Sequence, residues 1–363
     1  MKKFLIRLSY TVLPIWAVLV ATVLYISLYV SPRMSGDIGR LACIPFGFEY
    51  DEMLEQKALK DTFFQTINHP SELKHIRTTV LTIGDSFSQM GRIGYQNYMG
   101  QQGVSLVNMH LEPHNSPLQE AYNILDRALI DSTTVKVLIV ETVERDFPLN
   151  IQSFRPTVPE LVEGPKPSTE PELVAVDQRS IATEGTQEGP APSSTKWSLE
   201  RARNLILFKS GYKSPVFTAT LASDLFTCSE PRSLYFYHDD IDQGVSLPPA
   251  SEEKVRLVWQ SLLQKSKERG IHLVLMIAVD KYDIYQSMIV NNPFPRKTVC
   301  EDIERIIGPH PQLLMSKRYL LPLIERGEKD VFMFNDSHWS YKASNLIAQQ
   351  LLSHYLNAMI ALP

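Results

Sequence analysis

The feature that most limits the fold is an alternation, from residue 76 onward, of short apolar runs with longer amphipathic stretches. The runs, which are rich in β-branched residues, are predicted strands: Thr78–Ile83, Val104–Met109, Val135–Thr142, Ile271–Val279 and Val331–Phe334. The amphipathic stretches are predicted helices over 88–101, 117–131, 251–269, 311–326 and 340–358. Near-continuous apolar strands that alternate with helices are typical of a parallel sheet covered on both faces. The sequence therefore predicts an α/β domain.

The composition excludes several classes of protein. Of 363 residues, 44% are apolar and 21% are charged, as in an ordinary globular protein, which argues against a collagen, a disordered tail or a polytopic membrane protein. The net charge of −4 offers no general attraction to phosphates, so no nucleic-acid partner is expected. The three cysteines, Cys43, Cys228 and Cys300, form no CxxC pair. We expect no metal site and no cofactor.

The N-terminus contains a long uncharged segment. Leu8–Val30 has 23 residues without a charge, preceded by Lys2, Lys3 and Arg7. A helix of this length exceeds the roughly 30 Å hydrocarbon core of a bilayer. We predict a single membrane anchor over 8–30 after a cytoplasmic tail of residues 1–7; a cleaved signal peptide, with a shorter apolar region, is the alternative. The rest of the chain would then lie outside the cytoplasmic membrane.

Two further segments interrupt the α/β pattern. Residues 31–75 have weak signals and are predicted to be a stalk that leads into a domain over 76–363. Residues 155–196 hold seven prolines, seven acidic residues and no aromatic residue. Such a segment buries too little apolar surface to offset its ordering entropy. We interpret 155–196 as a disordered insertion, with a linker between two domains as the alternative.

Two motifs carry the candidate chemistry. Gly84-Asp85-Ser86 follows a predicted strand and opens a helix, where free backbone N–H groups can hold developing negative charge. Asp336-Ser337-His338 follows the last apolar run, and an Asp two residues before a His can accept the imidazole N–H and leave the other nitrogen as a base. Each motif alone also fits a turn with a helix cap. Together they meet the requirement for a nucleophile, a base and its orienting group.

These motifs resemble those of the SGNH/GDSL hydrolase superfamily. Trp339 after the histidine, Glu141–Asp146 after the third long strand and Asp280-Lys281-Tyr282 after the fourth are similar to the alginate O-acetyltransferase-like (DHHW) branch. The resemblance covers roughly 76–150 and 200–360. It implies a three-layer α/β/α, flavodoxin-like fold, and members of this branch are often membrane-anchored and face the periplasm.

The resemblance also implies roles for single residues. Ser86 would be the nucleophile, His338 the base and Asp336 its orienting group, with the Ser86 backbone N–H as one oxyanion donor. The blocks that supply a Gly and an Asn in related enzymes lack them here, so Asn115 and Arg145 are the candidates for the remaining donors.

Other residues near the predicted strand ends have weaker claims. Lys281, Tyr282 and Trp339 are candidates for substrate contact, with a plain surface loop as the alternative for the first two. His110 and His114 are four residues apart, but Pro113 disfavours the helix that a metal-binding pair would need.

The sequence thus predicts an O-acyltransferase, expected to be an O-acetyltransferase, that modifies a cell-envelope or exported polysaccharide through an acyl-serine. By the resemblance, it would lie in the bacterial inner membrane, face the periplasm and work with a membrane-embedded partner that exports the acyl group. A membrane-tethered esterase and a non-catalytic glycan-binding assembly protein are the alternatives.

Overall fold

The computed structural model describes residues 2–25, 36–42, 53, 56–112, 115–156 and 215–361. Most of the predicted insertion over 155–196 lies outside these residues. The strands are β1 Gln65–Ile67, β2 Val80–Ile83, β3 Leu106–Met109, β4 Val137–Val143, β5 Val216–Thr220, β6 Ser233–Tyr237, β7 His272–Ala278 and β8 Leu313–Met315. The α-helices are α1 Lys2–Tyr25, α2 Gly36–Ala42, α3 Tyr95–Gln101, α4 Pro117–Asp126, α5 Phe147–Ser153, α6 Asp239–Asp242, α7 Glu252–Glu268, α8 Lys281–Tyr285, α9 Val299–Ile307, α10 Ser316–Glu325 and α11 Tyr341–Ala361.

Six of the strands form one parallel sheet in the order β1-β3-β2-β4-β7-β8. Every residue of β2, β3 and β4 is buried, so both faces of the sheet are covered. The predicted α/β class is confirmed. β5 and β6 pair separately as an antiparallel hairpin.

The strand order creates a natural site for a ligand. From β2 the chain passes to β3 on one side and then to β4 on the other. In open parallel sheets, ligands bind beyond the carboxyl ends of the strands where the winding reverses in this way. The turn that carries Ser86 follows β2 directly and therefore lies at this position.

Several predicted boundaries differ from the structure. β1 lies before residue 76, inside the predicted stalk, and β8 lies inside the helix predicted over 311–326. The predicted strand Val331–Phe334 is not part of the sheet; Phe332 forms an isolated antiparallel bridge to Trp339 instead. The predicted helix 88–101 is regular only from Tyr95, because Gly91 adopts a φ of +55° and two short 3₁₀ turns precede α3.

The N-terminal helix differs from the predicted anchor. α1 begins at Lys2, before the uncharged run, and ends at Tyr25; residues 26–30 of the predicted anchor lie outside the described residues. Side chains such as Trp16 and Val18 are exposed. Within the described part of the chain, no helix combines the length and the apolar character needed to cross a membrane, so the anchor predicted over Leu8–Val30 is not found there.

Candidate active site

The turn after β2 presents one of its two serines and buries the other. Ser86 opens a 3₁₀ turn, Ser86–Gln89, and is half-buried. Among the described residues, neither its hydroxyl nor its backbone N–H has a hydrogen-bond partner. Ser88 is fully buried, donates to Glu141 Oε2 at 2.8 Å and lies 2.9 Å from the Tyr95 hydroxyl. Of the two hydroxyls, that of Ser86 is therefore the one without a hydrogen-bond partner among the described residues.

Asp85 holds this turn against the sheet. Its Oδ2 accepts a hydrogen bond from the Val143 N–H at the end of β4, at 2.6 Å, and its Oδ1 accepts one from Phe87 N–H at 3.4 Å. Burial raises the pKa of neighbouring Glu141 well above its usual value, and the charge of Asp85 adds to the effect. This shift favours the neutral form of Glu141, which adds no second negative charge beside Asp85 in the interior.

Gly84 is required by the crowding around this turn. A Cβ at this position would lie 2.0 Å from Ser88 Oγ and 2.4 Å from Glu141 Oε2. We expect Gly84→Ala to lower the free energy of unfolding by about 3 kcal/mol, because a packed interior has no room for the added methyl group. Urea unfolding measures this.

Gly103→Ala is the control for that substitution. Gly103 has a φ of +84° and no atom within 4 Å of an added Cβ, so its change tests backbone strain without crowding. An equal loss of stability in both variants would contradict the role of Gly84 as a spacer.

The second motif forms an Asp–His pair. His338 Nδ1 lies 2.5 Å from Asp336 Oδ1, which also accepts the His338 backbone N–H at 3.0 Å. Burial alone would raise the pKa of Asp336, but the neighbouring His338 and hydrogen bonds hold it well below its usual value. Burial alone would lower the pKa of His338, but Asp336, and then Asp37, raise it. Asp336 is thus an anion that fixes the ring and stabilises its protonated form.

The other ring nitrogen of His338 is available. Nε2 is buried and has no hydrogen-bond partner among the described residues. A proton on Nδ1, held by Asp336, leaves Nε2 with its lone pair, which is the form a general base needs.

Phe87 brings the two motifs together. Its ring lies 4.7 Å from the His338 ring and 4.6 Å from the Trp339 ring, measured between centroids. Phe87 directly follows Ser86, so Ser86 and His338 belong to adjoining loops although they are far apart in sequence. No hydrogen bond joins Ser86 Oγ to His338 Nε2 among the described residues; in unliganded sites such bonds are often long and form when substrate binds.

Lys281 supports the loop that carries His338 by hydrogen bonds to its backbone. It is fully buried, and its Nζ donates to the carbonyls of Met333, Phe334 and Asp336 at 2.6, 2.9 and 2.9 Å. Two of these carbonyls, those of Met333 and Phe334, belong to the predicted strand 331–334, and in a sheet they would accept hydrogen bonds from a neighbouring strand instead. Burial lowers the pKa of Lys281 to about 7, although Asp37 and Asp336 oppose this shift.

Three of the predicted site residues are therefore buried in the interior and do not face a substrate site. Lys281 has no free face for substrate, and Tyr282 is fully buried with its hydroxyl on the Pro295 carbonyl at 2.7 Å. Trp339 is also fully buried, and packs between the motifs rather than facing solvent. These placements differ from the predicted substrate contacts, because the segments after β7 and before α11 turn into the core.

Arg145 is held near the site by acidic groups. Its Nη1 lies 3.2 Å from Asp240 and 3.3 Å from Asp280, and its guanidinium lies over the Tyr237 ring at 5.6 Å from the ring centre. Burial alone would lower its pKa, but Asp240 and Asp280 raise it, so the charge persists. Its Nε and Nη2 have no hydrogen-bond partner in the described part of the chain, so these donors remain available.

Asn115 is less well connected to the site. It is exposed, and its backbone N–H donates to the Glu112 carbonyl at 3.1 Å. Gln89, at the end of the serine turn, reaches the start of the same loop through the Leu111 carbonyl at 3.4 Å. Residues 113 and 114, His114 included, lie outside the described residues.

Asp37 is the site residue that the sequence does not indicate. Its Oδ2 lies 3.7 Å from His338 Nδ1, although it belongs to α2 in the predicted stalk. Asp37, Asp336 and His338 each offer a ligand atom within 4.8 Å of the others. However, the 2.5 Å between Asp336 and His338 is a hydrogen-bond distance, shorter than the roughly 3.3 Å between two ligands on one tetrahedral zinc ion.

A second buried group, Glu144, Asp283 and Cys300, also places ligand atoms within 4.8 Å of one another. Asp283 is already paired with Lys317 at 2.7 Å, and Lys297 lies 2.5 Å from the nearby Asp280. Burial raises the pKa of Glu144 well above its usual value, which favours its neutral form. This arrangement fits a buried ion-pair network.

Searches against protein-family models, curated proteins and solved structures find no match to this chain.

Proposed function

We propose that the protein is a serine acyltransferase in which Ser86 carries the acyl group. The observation that supports this most directly is the state of His338: Asp336 holds Nδ1, Nε2 is free, and the ring packs against the residue that follows Ser86. A positioned base on a loop that adjoins an unpartnered hydroxyl fits the requirements of nucleophilic acyl transfer.

The reaction proceeds in two halves. His338 Nε2 takes the proton of Ser86 Oγ, which attacks the carbonyl carbon of the acyl donor, and the protonated histidine returns the proton to the leaving group as its bond to the acyl carbon breaks. In the second half, His338 takes the proton of an acceptor hydroxyl, which attacks the acyl carbon. The protonated histidine then returns the proton to Ser86 Oγ as the bond between Ser86 and the acyl carbon breaks. The backbone N–H of Ser86 and the free donors of Arg145 are the groups we assign to the oxyanion.

The acceptor is proposed to be a sugar hydroxyl of a polysaccharide. This rests on the resemblance of the GDS and D-x-H-W motifs to those of alginate O-acetyltransferase-like proteins, together with the α/β fold. The five strands β3-β2-β4-β7-β8 have the order of a flavodoxin-like sheet, which agrees with that fold. The location outside the inner membrane and the acyl-exporting partner stay predictions from the sequence.

Labelling and product analysis test the proposal. We expect a fluorophosphonate probe to label the full chain, with the adduct on Ser86 by peptide mass spectrometry, because His338 activates that hydroxyl. An activated acetyl ester should then give acetylated glycan when an oligosaccharide acceptor is present and free acetate when it is absent.

The outcomes separate the alternatives. Free acetate in both conditions would assign the same site to an esterase. The absence of any adduct on Ser86 from a folded protein would contradict acyl chemistry altogether.

A further inference from the structure

The short helix α2 is fastened to the histidine loop by reciprocal hydrogen bonds. The Asp37 backbone N–H donates to Asp336 Oδ2 at 3.0 Å, and the Ser337 backbone N–H donates to Asp37 Oδ1 at 2.7 Å. The Ser337 hydroxyl donates to Asp37 Oδ2. Each aspartate side chain thus accepts a backbone N–H from the other segment. This pattern fixes both segments more tightly than a single side-chain contact would.

The backbones of the two segments also touch. Gly36 adopts a φ of +70°, and a Cβ there would lie 2.1 Å from the Asn335 carbonyl oxygen. The Gly39 N–H donates to that same carbonyl at 3.2 Å. Ile38, between them, is fully buried. α2 is therefore seated on the loop as part of the domain, which is not expected of a stalk.

Charged groups approach His338 from three directions. Its own loop supplies Asp336, α2 supplies Asp37 with Oδ2 3.7 Å from Nδ1, and the segment after β4 supplies Arg145, whose positive charge opposes protonation of the ring. Lys281, which bonds to the backbone of the same loop, interacts electrostatically with Asp37 and Asp336. The Phe87 ring covers a further side without charge.

We propose that Asp37 is a second positioning carboxylate of the catalytic histidine, supplied by the segment that precedes the sheet. Asp336 binds Nδ1 directly, while Asp37 holds the Asp336–Ser337–His338 turn in place and adds a negative charge beside the ring. This inference rests on the proposed function, because it assigns the role through His338.

Asp37→Asn is the main test, because it keeps the shape of the side chain and removes the charge. Asp37 raises the pKa of His338, so its loss should lower that pKa. The low-pH limb of kcat/KM for an acetyl ester, which follows deprotonation of His338, should move to lower pH by about one unit. We take the lower end of the usual range for a neighbouring charge because the Asp37 side chain is 27% exposed.

Two further variants separate position from charge. Ser337→Ala removes a hydrogen bond to Asp37 but keeps both carboxylates, so the limb should stay within about 0.3 pH unit of the wild type even if turnover falls. Asp224→Asn, which changes an exposed aspartate of the same type, should leave rate and limb unchanged. An unmoved limb in Asp37→Asn, whether turnover is unchanged or reduced, would overturn the proposal.

A measurement without turnover keeps this test distinct from that of the proposed function. NMR titration of ¹³C-labelled histidines in the full chain, with His338→Gln for assignment, follows the ring directly. A lower His338 pKa in Asp37→Asn would support the positioning role even if Ser86 proved unreactive. An unchanged titration of an assigned His338 would overturn it even if Ser86 reacted as expected.

Discussion

Ser86→Ala is expected to lower kcat for an acetyl ester by about 10⁴- to 10⁶-fold, because loss of the nucleophile removes the acyl-serine route and leaves only binding and oxyanion contacts. The fold should be retained. Ser86 is half-buried, and its hydroxyl has no hydrogen-bond partner among the described residues, so the free energy of unfolding should change by less than about 0.5 kcal/mol. Steady-state kinetics and urea unfolding on the same preparation measure both quantities.

Ser88→Ala is the matched control for this prediction. Its hydroxyl bonds to Glu141 and Tyr95 in the interior, so its loss should cost about 1 to 3 kcal/mol of stability and leave turnover within an order of magnitude of the wild type. The two serines should therefore show opposite patterns. Wild-type turnover in Ser86→Ala would exclude Ser86 as the nucleophile. A Ser88→Ala protein that is stable but inactive would show that Ser88, and not Ser86, is the nucleophile.

Lys281→Met is expected to cause the largest loss of stability, about 3 kcal/mol or more. The buried carbonyl of Phe334 and the part-buried carbonyls of Met333 and Asp336 would lose their donor, and the unbranched apolar side chain cannot replace it. Because these carbonyls belong to the loop that carries His338, fluorophosphonate labelling of Ser86 should also fall at temperatures where the protein is still folded. Chemical unfolding and labelling rates measure the two effects.

Lys267→Met is the control for the change of charge and shape. Lys267 is exposed on α7, so its replacement should alter stability by less than about 0.5 kcal/mol. If Lys281→Met were no less stable than Lys267→Met, the bonds from Lys281 would not be what supports the loop.

Much of the sheet could be predicted because its strands are buried on both faces. β2, β3 and β7 lie within the apolar runs and β4 extends one residue beyond its run, since nearly complete burial leaves a continuous pattern in the sequence. The edge strands β1 and β8 have three residues each, too few for such a pattern. The run Val331–Phe334 is apolar and mostly buried, but it does not pair in the sheet, and two of its carbonyls accept hydrogen bonds from Lys281 instead.

The sequence by itself determined the α/β class and the two motifs that carry Ser86, Asp336 and His338, because strand periodicity and loop motifs are local properties of a chain. Only the tertiary structure showed that Ser88 is buried and bonded to Glu141, that Phe87 lies between the motifs, and that Lys281, Tyr282 and Trp339 are buried. It alone placed Asp37 beside His338, because the two residues lie about 300 positions apart and nothing in either segment indicates the other. Contacts between distant segments depend on how the whole chain packs, and no local pattern records them.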